Sequence, residues 1–534
     1  MKLAGRFTAA FLALGVATGC TSRGASPSTD ELTFAVPYEI NSMNPLLISG
    51  ADRLVLGPLI YSQLFRPSPS GQMKPWVAAT VPTVANGGIS TDGRTITYHL
   101  RHDVKWADGV PLTARDVIFT HQADLNPKTS VVETLGDKEV ASIVALDSYT
   151  VCVRLKRPFS PFIDFDYFDR PLLPAHLLEK FASLDRVDFN QHPVGSGPYR
   201  LAEWRRGDHM TFVRSETYWG PPARIAKVTL RVVPSADTIV TELLGHNVDA
   251  TVGIDPIRAQ QLRRDPDLQV LETPVPLFSL IIFNASDPIL ADVRVRRAVT
   301  LALNRSEIIR KATLGVEDAE HANRGLFRWA YDPSVKSLPY DPAAAKRLLE
   351  SAGWIPGADG IRTRNGKRLQ ITLAIESGHP YFATEANQAQ QQARAVGIQL
   401  DVKSYVDQQY LLLTRDGVLW GGNFQIALTV FVGANDPDPD WLIGCDASGR
   451  PIPYNFTHMC VPEIQRVMED AVATFDRNRR KRDYTTVQRI LNQQLPLVIL
   501  SQEYLISAIP KRLHGYTASV AGGSFWDVAS WSLS

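Results

Sequence analysis

The chain reads as an α/β protein, with α/β lobes built around mixed sheets and a strand-rich insertion in its first half. Three observations predict this. Short alternating strands bounded by turn residues dominate the first half. Helix-period and strand-like segments alternate over the second half. Between them, "LFSLIIFN" (Leu277–Asn284) is an unbroken apolar run that suits a strand buried on both faces.

Length and charge narrow the possibilities. The 534 residues suffice for one large multi-lobed body or for two to four ordinary domains. Fifty-six basic residues against fifty-five acidic ones leave a formal charge of +1, which gives no reason to expect nucleic acid or an anionic membrane surface as the main partner. There is no internal repeat.

The first residues are a targeting segment. Lys2 and Arg6 precede an apolar stretch, Phe7–Val16, and the small-residue site "ATGC". That stretch is too short to span a bilayer and reads as a secretory signal, residues 1–19. Cys20 follows directly, and the site resembles a bacterial lipobox, although that pattern prefers Leu where Ala17 stands. An ordinary signal with an incidental cysteine is the other reading. On the lipobox reading Cys20 carries the lipid, and "TSRGASPSTD" makes residues 20–30 a flexible tether. Export permits disulfides. Cys445 and Cys460, 15 positions apart in a Gly/Pro/Asn-rich segment, are expected to pair. Cys152, in the alternating "YTVCVRLK", is expected to be a buried thiol.

The elements follow in order. "LTFAVPYEI" from Leu32 is a strand, and "TITYHLR" (Thr95–Arg101) is another, entered by an Asp92–Gly93 turn. Thr113 and Asp116 have capping-box spacing and start a helix. "MTFVRSETYW" and "KVTLRVVP" are strands, and "TIVTELLGHNVDA" is a helix with Gly245 near its end. "VRVRRAVTLALNRSEIIRKATLG" predicts one long helix ending at Gly315. "DPAAAKRLLESAGW" is a helix with Pro at its start and Gly353 at its stop. Asn365–Gly366 is a two-residue hairpin turn. "YFATEANQAQQQARAVGIQLDVKSY" is a helix feeding a strand. From Pro462 come two helices and an apolar strand, with "DRNRRKRD" (Asp476–Asp483) read as a solvated run between the helices.

Catalytic patterns are missing. There is no His-Glu-x-x-His and no Gly-x-Ser-x-Gly. "GSGPYR" (Gly195–Arg200) has Arg200 where a dinucleotide loop needs its third glycine. His99 and His102, three apart on a strand, point to opposite faces and make no metal pair. Trp106 is expected in a core. No enzyme, metal or cofactor is predicted.

Five blocks then carry a resemblance. "STDGRTITYHLRHDVKWADGVPLTARDVIFT", "VGSGPYRLAEWRRGDHMTFVRSETYWG", "FNASDPILADVRVRRAVTLALNRSEII", "YDPAAAKRLLESAGW" and "DPDPDWLIGCD" follow in this order and resemble the family 5 extracellular solute-binding proteins of ABC importers. The resemblance implies a class II periplasmic-binding-protein-like fold. Lobe I would hold a core subdomain (31–75, 190–283, 510–534) with an inserted subdomain (76–189), and lobe II residues 284–509. The hinge would lie at Pro276–Asn284 and Tyr504–Lys511. It implies a monomeric receptor that delivers a peptide-like solute to permease subunits. Same-fold receptors for an oligosaccharide, opine or metal chelate, and a non-transport envelope lipoprotein, stay open. In "VFVGANDPDPDW" (Val430–Trp441) it puts ligand contacts at Phe431, Asn435, Asp436 and Asp438. Aligning Asp438-Pro439 with the family's Asp-Pro puts Asn435 at the amine-binding position, and a one-residue shift puts Asp436 there. On the second register Asp436 is expected to meet a ligand cation, with Asn435 as its neutral hydrogen-bonding neighbour. A turn capped by local Asn and Asp bonds is the other reading.

The targeting reading is tested by Cys20→Ser. Loss of the acylated residue should move the protein from the membrane fraction to the soluble fraction, read by fractionation and blotting. Unchanged membrane association would refute it.

Overall fold

The computed structural model describes residues 30–68, 71–132, 136–163, 171–317, 319, 322–412, 414–433, 436–446, 448–452, 454–519 and 523–534. Cys20, its signal and nearly all of the tether, and Asn435, lie outside the described residues.

A mixed ten-stranded sheet runs through both lobes. Its strands are β1 (Glu31–Val36), β2 (Tyr199–Arg205), β3 (His209–Arg214), β4 (Lys227–Val232), β5 (Ala250–Val252), β6 (Leu268–Phe283), β7 (Gln370–Glu376), β8 (Gln399–Tyr405), β9 (Ile426–Val432) and β10 (Leu497–Pro510). The spatial order is β8-β7-β9-β6-β10-β5-β1-β4-β3-β2. Lobe I surrounds β1 to β5, where Leu32, Phe34, Phe212 and Leu230 are buried with Phe525 and Trp531 from the C-terminus. Lobe II surrounds β7 to β9.

β6 and β10 carry the chain between the lobes. They pair antiparallel from Leu268↔Pro510 to Ile282↔Leu497. At one end β10 pairs with β5 of lobe I, and at the other β6 pairs with β9 of lobe II. The ladder is irregular between Pro274 and Phe278. Pro274 and Pro276 have no N–H to donate, so this is where a continuous ladder weakens. The expected crossings overlap both strands, and the irregularity begins two residues before Pro276.

The inserted part of lobe I has its own three-stranded sheet: Thr95–His99, Thr150–Leu155 and Val140–Asp147. Trp106 is fully buried there with Ile96, Val117 and Val153. The capping box forms at α1 (Ala114–Asp124), where the Asp116 carboxylate accepts the Thr113 N–H at 2.8 Å. The same carboxylate accepts the Ala175 N–H, so it also ties the helix to a neighbouring segment. His102 lies in a bend after the strand that ends at His99, rather than on it, and stacks on Tyr149.

Three expectations are corrected. The segment predicted as one helix is two, α2 (Val293–Ala302) and α3 (Arg305–Ala312). Leu303 is extended, and the Asn304 side chain accepts the Glu307 N–H, restarting the helix. Cys152 is half-buried rather than buried. The basic run does not separate two helices. Asp476 caps a helix that starts at Arg477, so most of the run forms its first turns.

The inserted part touches lobe II across the cleft. The helix α5 (Pro462–Val472) follows α4 (Phe382–Arg394) and precedes α6 (Arg477–Gln494). The Ser160 N–H donates to the carbonyl of Val472, and Phe475 packs against the inserted core. Cys445 and Cys460 are joined by a disulfide that closes the loop before α5. Replacing both by Ser should lower stability by about 3 kcal/mol on the chain-entropy model. Chemical denaturation under non-reducing conditions reads this, and an unchanged midpoint would refute it.

Candidate functional site

β7 runs parallel to both β8 and β9, so the carboxyl ends of all three lie on one edge of lobe II. Ligands of open α/β sheets bind at that edge. Here it meets the hinge. Val432, at the end of β9, lies opposite Leu277, and the Gly433 N–H donates to the Pro276 carbonyl at 2.6 Å. Groups from the other lobe reach the same edge. The charge of Arg157, from the inserted part, bears on Asp440, and that of Asp255 bears on Tyr381.

The loop after β9 holds three carboxylates. Asp436 is 4% exposed and receives both of its oxygens' bonds from one Arg480 nitrogen, at 2.5 and 2.6 Å. The Tyr484 hydroxyl lies 3.3 Å from the same carboxylate, and Arg480 Nε donates to the Ala471 carbonyl. The Trp329 ring lies under the guanidinium. Burial works against the Arg480 charge, but the facing Asp436 outweighs it and the pKa is raised. The charge of Asp436 therefore has an internal partner, which is a different setting from the bare carboxylate expected in the cleft.

Asp438 is in the opposite condition. It is half-buried and accepts the Asp440 N–H at 3.2 Å. Burial, with repulsion from Asp440 and Asp436 only partly offset by Arg480, pushes its carboxyl up to about 8. Phe431 lies on β9 beside Phe278, buried among the apolar side chains of lobe II.

A second group sits where β7 ends and α4 begins. Glu385 is 1% exposed on the buried face of α4 and is bonded to the Ser279 hydroxyl of β6. Glu317, after α3, accepts the Ser501 hydroxyl of β10 at 2.6 Å. Glu503 lies two residues further along β10, with its Oε1 3.7 Å from His379 Nε2. Burial, the repulsion of Glu503 and, for Glu317, that of Glu385 push Glu317 and Glu385 up to about 8 each, against the opposing serine hydrogen bonds.

The sequence reading missed Arg480 and all three glutamates. Arg480 shares an inward stripe with Tyr484 and Val487, and Glu385 lies among inward-facing Phe382, Ala386 and Ala389. A charged residue on an otherwise apolar helical stripe was the available signal. Glu317 lies outside regular structure, and Glu503 has no such pattern to mark it. Among the described residues, the one set with ligand atoms spaced for a metal ion is His246, Asp265 and Asp267, in which both ends are exposed and which the hinge edge does not include.

Two lobes joined by two strands, with carboxylates and aromatics gathered at the hinge edge, define a bilobed solute-binding protein. The chain belongs to the bacterial extracellular solute-binding proteins, family 5, whose middle region matches residues 72–450. Protein XP55 of Streptomyces lividans is 30% identical over 397 residues, 74% of this chain and 71% of that protein. The dipeptide-binding protein of Escherichia coli K12 is 25% identical and covers 96% of each chain. The structure of NikZ from Campylobacter jejuni in complex with Ni(L-His) superposes with a TM-score of 0.78 at 26% identity, covering 94% of this chain and 99% of that one. The protein is thus a substrate-binding protein of an ABC importer, from a family without enzymatic activity.

The two aspartates should respond differently to substitution. Asp436→Asn strands a buried guanidinium and should cost about 3–5 kcal/mol, as removal of one partner of a buried pair does. Asp438 has a raised folded pKa, so its contribution to stability is present below the ordinary carboxylate range and lost as pH rises through about 8. Asp438→Asn should flatten the stability profile between pH 4 and 8. Melting across that range reads both, and an Asp438→Asn profile matching wild type would refute the second claim.

Proposed function

We propose that the protein captures a peptide-like solute between its lobes, with Asp438 as the partner of the ligand's free amine. The observation that carries this is the Asp438 carboxyl at the hinge edge, to which no cation is bonded among the described residues, beside an Asp436 already bound to Arg480. An ammonium entering a closed cleft needs an anionic partner, because an unpaired buried charge costs several kcal/mol. Asn435 adds a neutral hydrogen bond, Asp436 holds the loop in place through Arg480, and Phe431 forms part of the apolar wall behind it. The similarity to a dipeptide-binding protein supports the peptide reading. Cys20 tethers the mature chain to a membrane, and closed protein docks on permease subunits as a monomer. A second reading, a metal chelate as cargo, is favoured by the likeness to the Campylobacter structure that holds Ni(L-His).

Calorimetry with a free-amine dipeptide and its N-acetylated form separates them. Asp438→Asn should weaken the free-amine peptide about tenfold or more and leave the acetylated form little changed. Equal losses would make Asp438 structural. A wild type that ignores both peptides and takes up a Ni–histidine complex would replace the peptide reading with the chelate one.

A further inference from the structure

Glu317 in the segment after α3, Glu385 on α4 and Glu503 on β10 converge beneath the hinge edge. Among the described residues, no Lys or Arg pairs with any of them; the basic side chain that faces them is His379, against Glu503. Among the described residues, Glu385 Oε1 and Glu503 Oε1 are buried with no hydrogen-bond partner. A buried carboxylate oxygen without a donor is a costly arrangement that a bound donor would relieve. The remaining titratable neighbours are Tyr381, with Asp255 of lobe I bearing on it, and Glu376, which bears on His379 from the end of β7. Apart from that single imidazole, these groups supply acidic or neutral character only.

The spacing says which kind of donor fits. One metal ion binds oxygens at roughly 2.0–2.6 Å, so its ligand atoms crowd together. Among the described residues, Glu317, Glu385, Glu503 and His379 contribute no set of three ligand atoms mutually within 4.8 Å. A guanidinium spreads five N–H donors over a plane and can serve carboxylates that are farther apart.

We propose that Glu317, Glu385 and Glu503 form a subsite for the guanidinium or ammonium group of a basic ligand side chain, reached past His379 and Tyr381. This rests on the peptide-like reading above and names a basic side chain as the preferred cargo chemistry. In the free protein Glu317 and Glu385 hold their protons at neutral pH, since each titrates at about 8. A bound cation lowers both values, so binding releases protons. Affinity therefore rises with pH and levels off above about 8.

The test uses the mature protein, dialysed free of retained solute, titrated with Gly-Arg-Gly, Gly-citrulline-Gly, agmatine and nickel chloride. Citrulline keeps the shape of arginine without its charge. Gly-Arg-Gly should bind about tenfold tighter than the citrulline peptide, the scale of one charge-assisted hydrogen bond. Its heat should vary with buffer ionisation enthalpy in the sense of proton release. Glu385→Gln should abolish the preference and leave the citrulline peptide within about twofold, with Glu503→Gln as the second variant should the first fail to fold. Equal binding of the two peptides without proton release overturns the subsite and spares the peptide reading. Glu385-dependent binding of agmatine with neither peptide bound keeps the subsite and removes the peptide reading. Failure of all three organic probes, or occupancy of the glutamates by nickel alone, overturns the proposal.

Discussion

The antiparallel pairing of β6 with β10 is the constraint on which the rest of the molecule depends. These two strands belong to both lobes at once, extending the lobe I sheet at one end and the lobe II sheet at the other. On each side these strands are also paired with their own lobe, β10 with β5 and β6 with β9. Between Pro274 and Phe278 their mutual register shifts, and it shifts again between Ser279 and Leu280. Any relative motion of the lobes is absorbed where the two prolines withhold their donors. Because β9 ends against Leu277, the loop that follows it starts within a residue or two of that weak point. A ligand held by that loop would therefore be coupled to lobe position by chain geometry, and a solute that bound both edges would shift the balance toward a closed form.

Closure changes the value of charge. Water leaves the cleft, and every polar group inside must then be satisfied by protein or ligand. Lobe II handles this in two ways. Asp436 and Arg480 neutralise one another, with Tyr484 and Trp329 enclosing the pair. Among the described residues, Asp438, Glu317 and Glu385 have no Lys or Arg bonded to them, Glu503 faces only the His379 imidazole, and burial drives Asp438, Glu317 and Glu385 toward their protonated forms. The first arrangement holds a loop in shape. The second leaves acids whose ionisation awaits a partner.

The fold was legible from short-range chemistry where that chemistry acts alone. The Asn365–Gly366 turn, with both residues at positive φ, and the Asp116 cap follow from two or three neighbouring residues, and so does the placement of Trp106 in a core. The family motifs supplied the lobes. What failed did so for stated physical reasons. A capping asparagine interrupts an apolar periodicity that by itself runs through Asn304. A basic octet looks solvated until one of its arginines meets a carboxylate 44 residues away. The site was legible only as a loop. Which of its aspartates is paired depends on α6, and sequence spacing carries no information on that contact. Of the glutamates only Glu385 left a trace, as a charge on an apolar helical stripe, and its grouping with Ser279, Ser501 and Glu317 was illegible because they become neighbours only through the strand crossing.

Protonated acids have a use in a receptor that must be stable both with and without cargo. Three ionised carboxylates in one desolvated corner would repel one another, and desolvation alone costs several kcal/mol per ion. Holding a proton avoids that expense in the empty protein. It also sets the terms of selection. A neutral side chain can offer the protonated carboxyl groups only neutral hydrogen bonds, which are roughly half as strong as charge-assisted ones. A cation can displace those protons and gain charge-assisted hydrogen bonds in the dry corner where they are strongest. The burial that raises the Glu317 and Glu385 pKa values is therefore the same physical property that would distinguish a basic solute from a neutral one of equal shape.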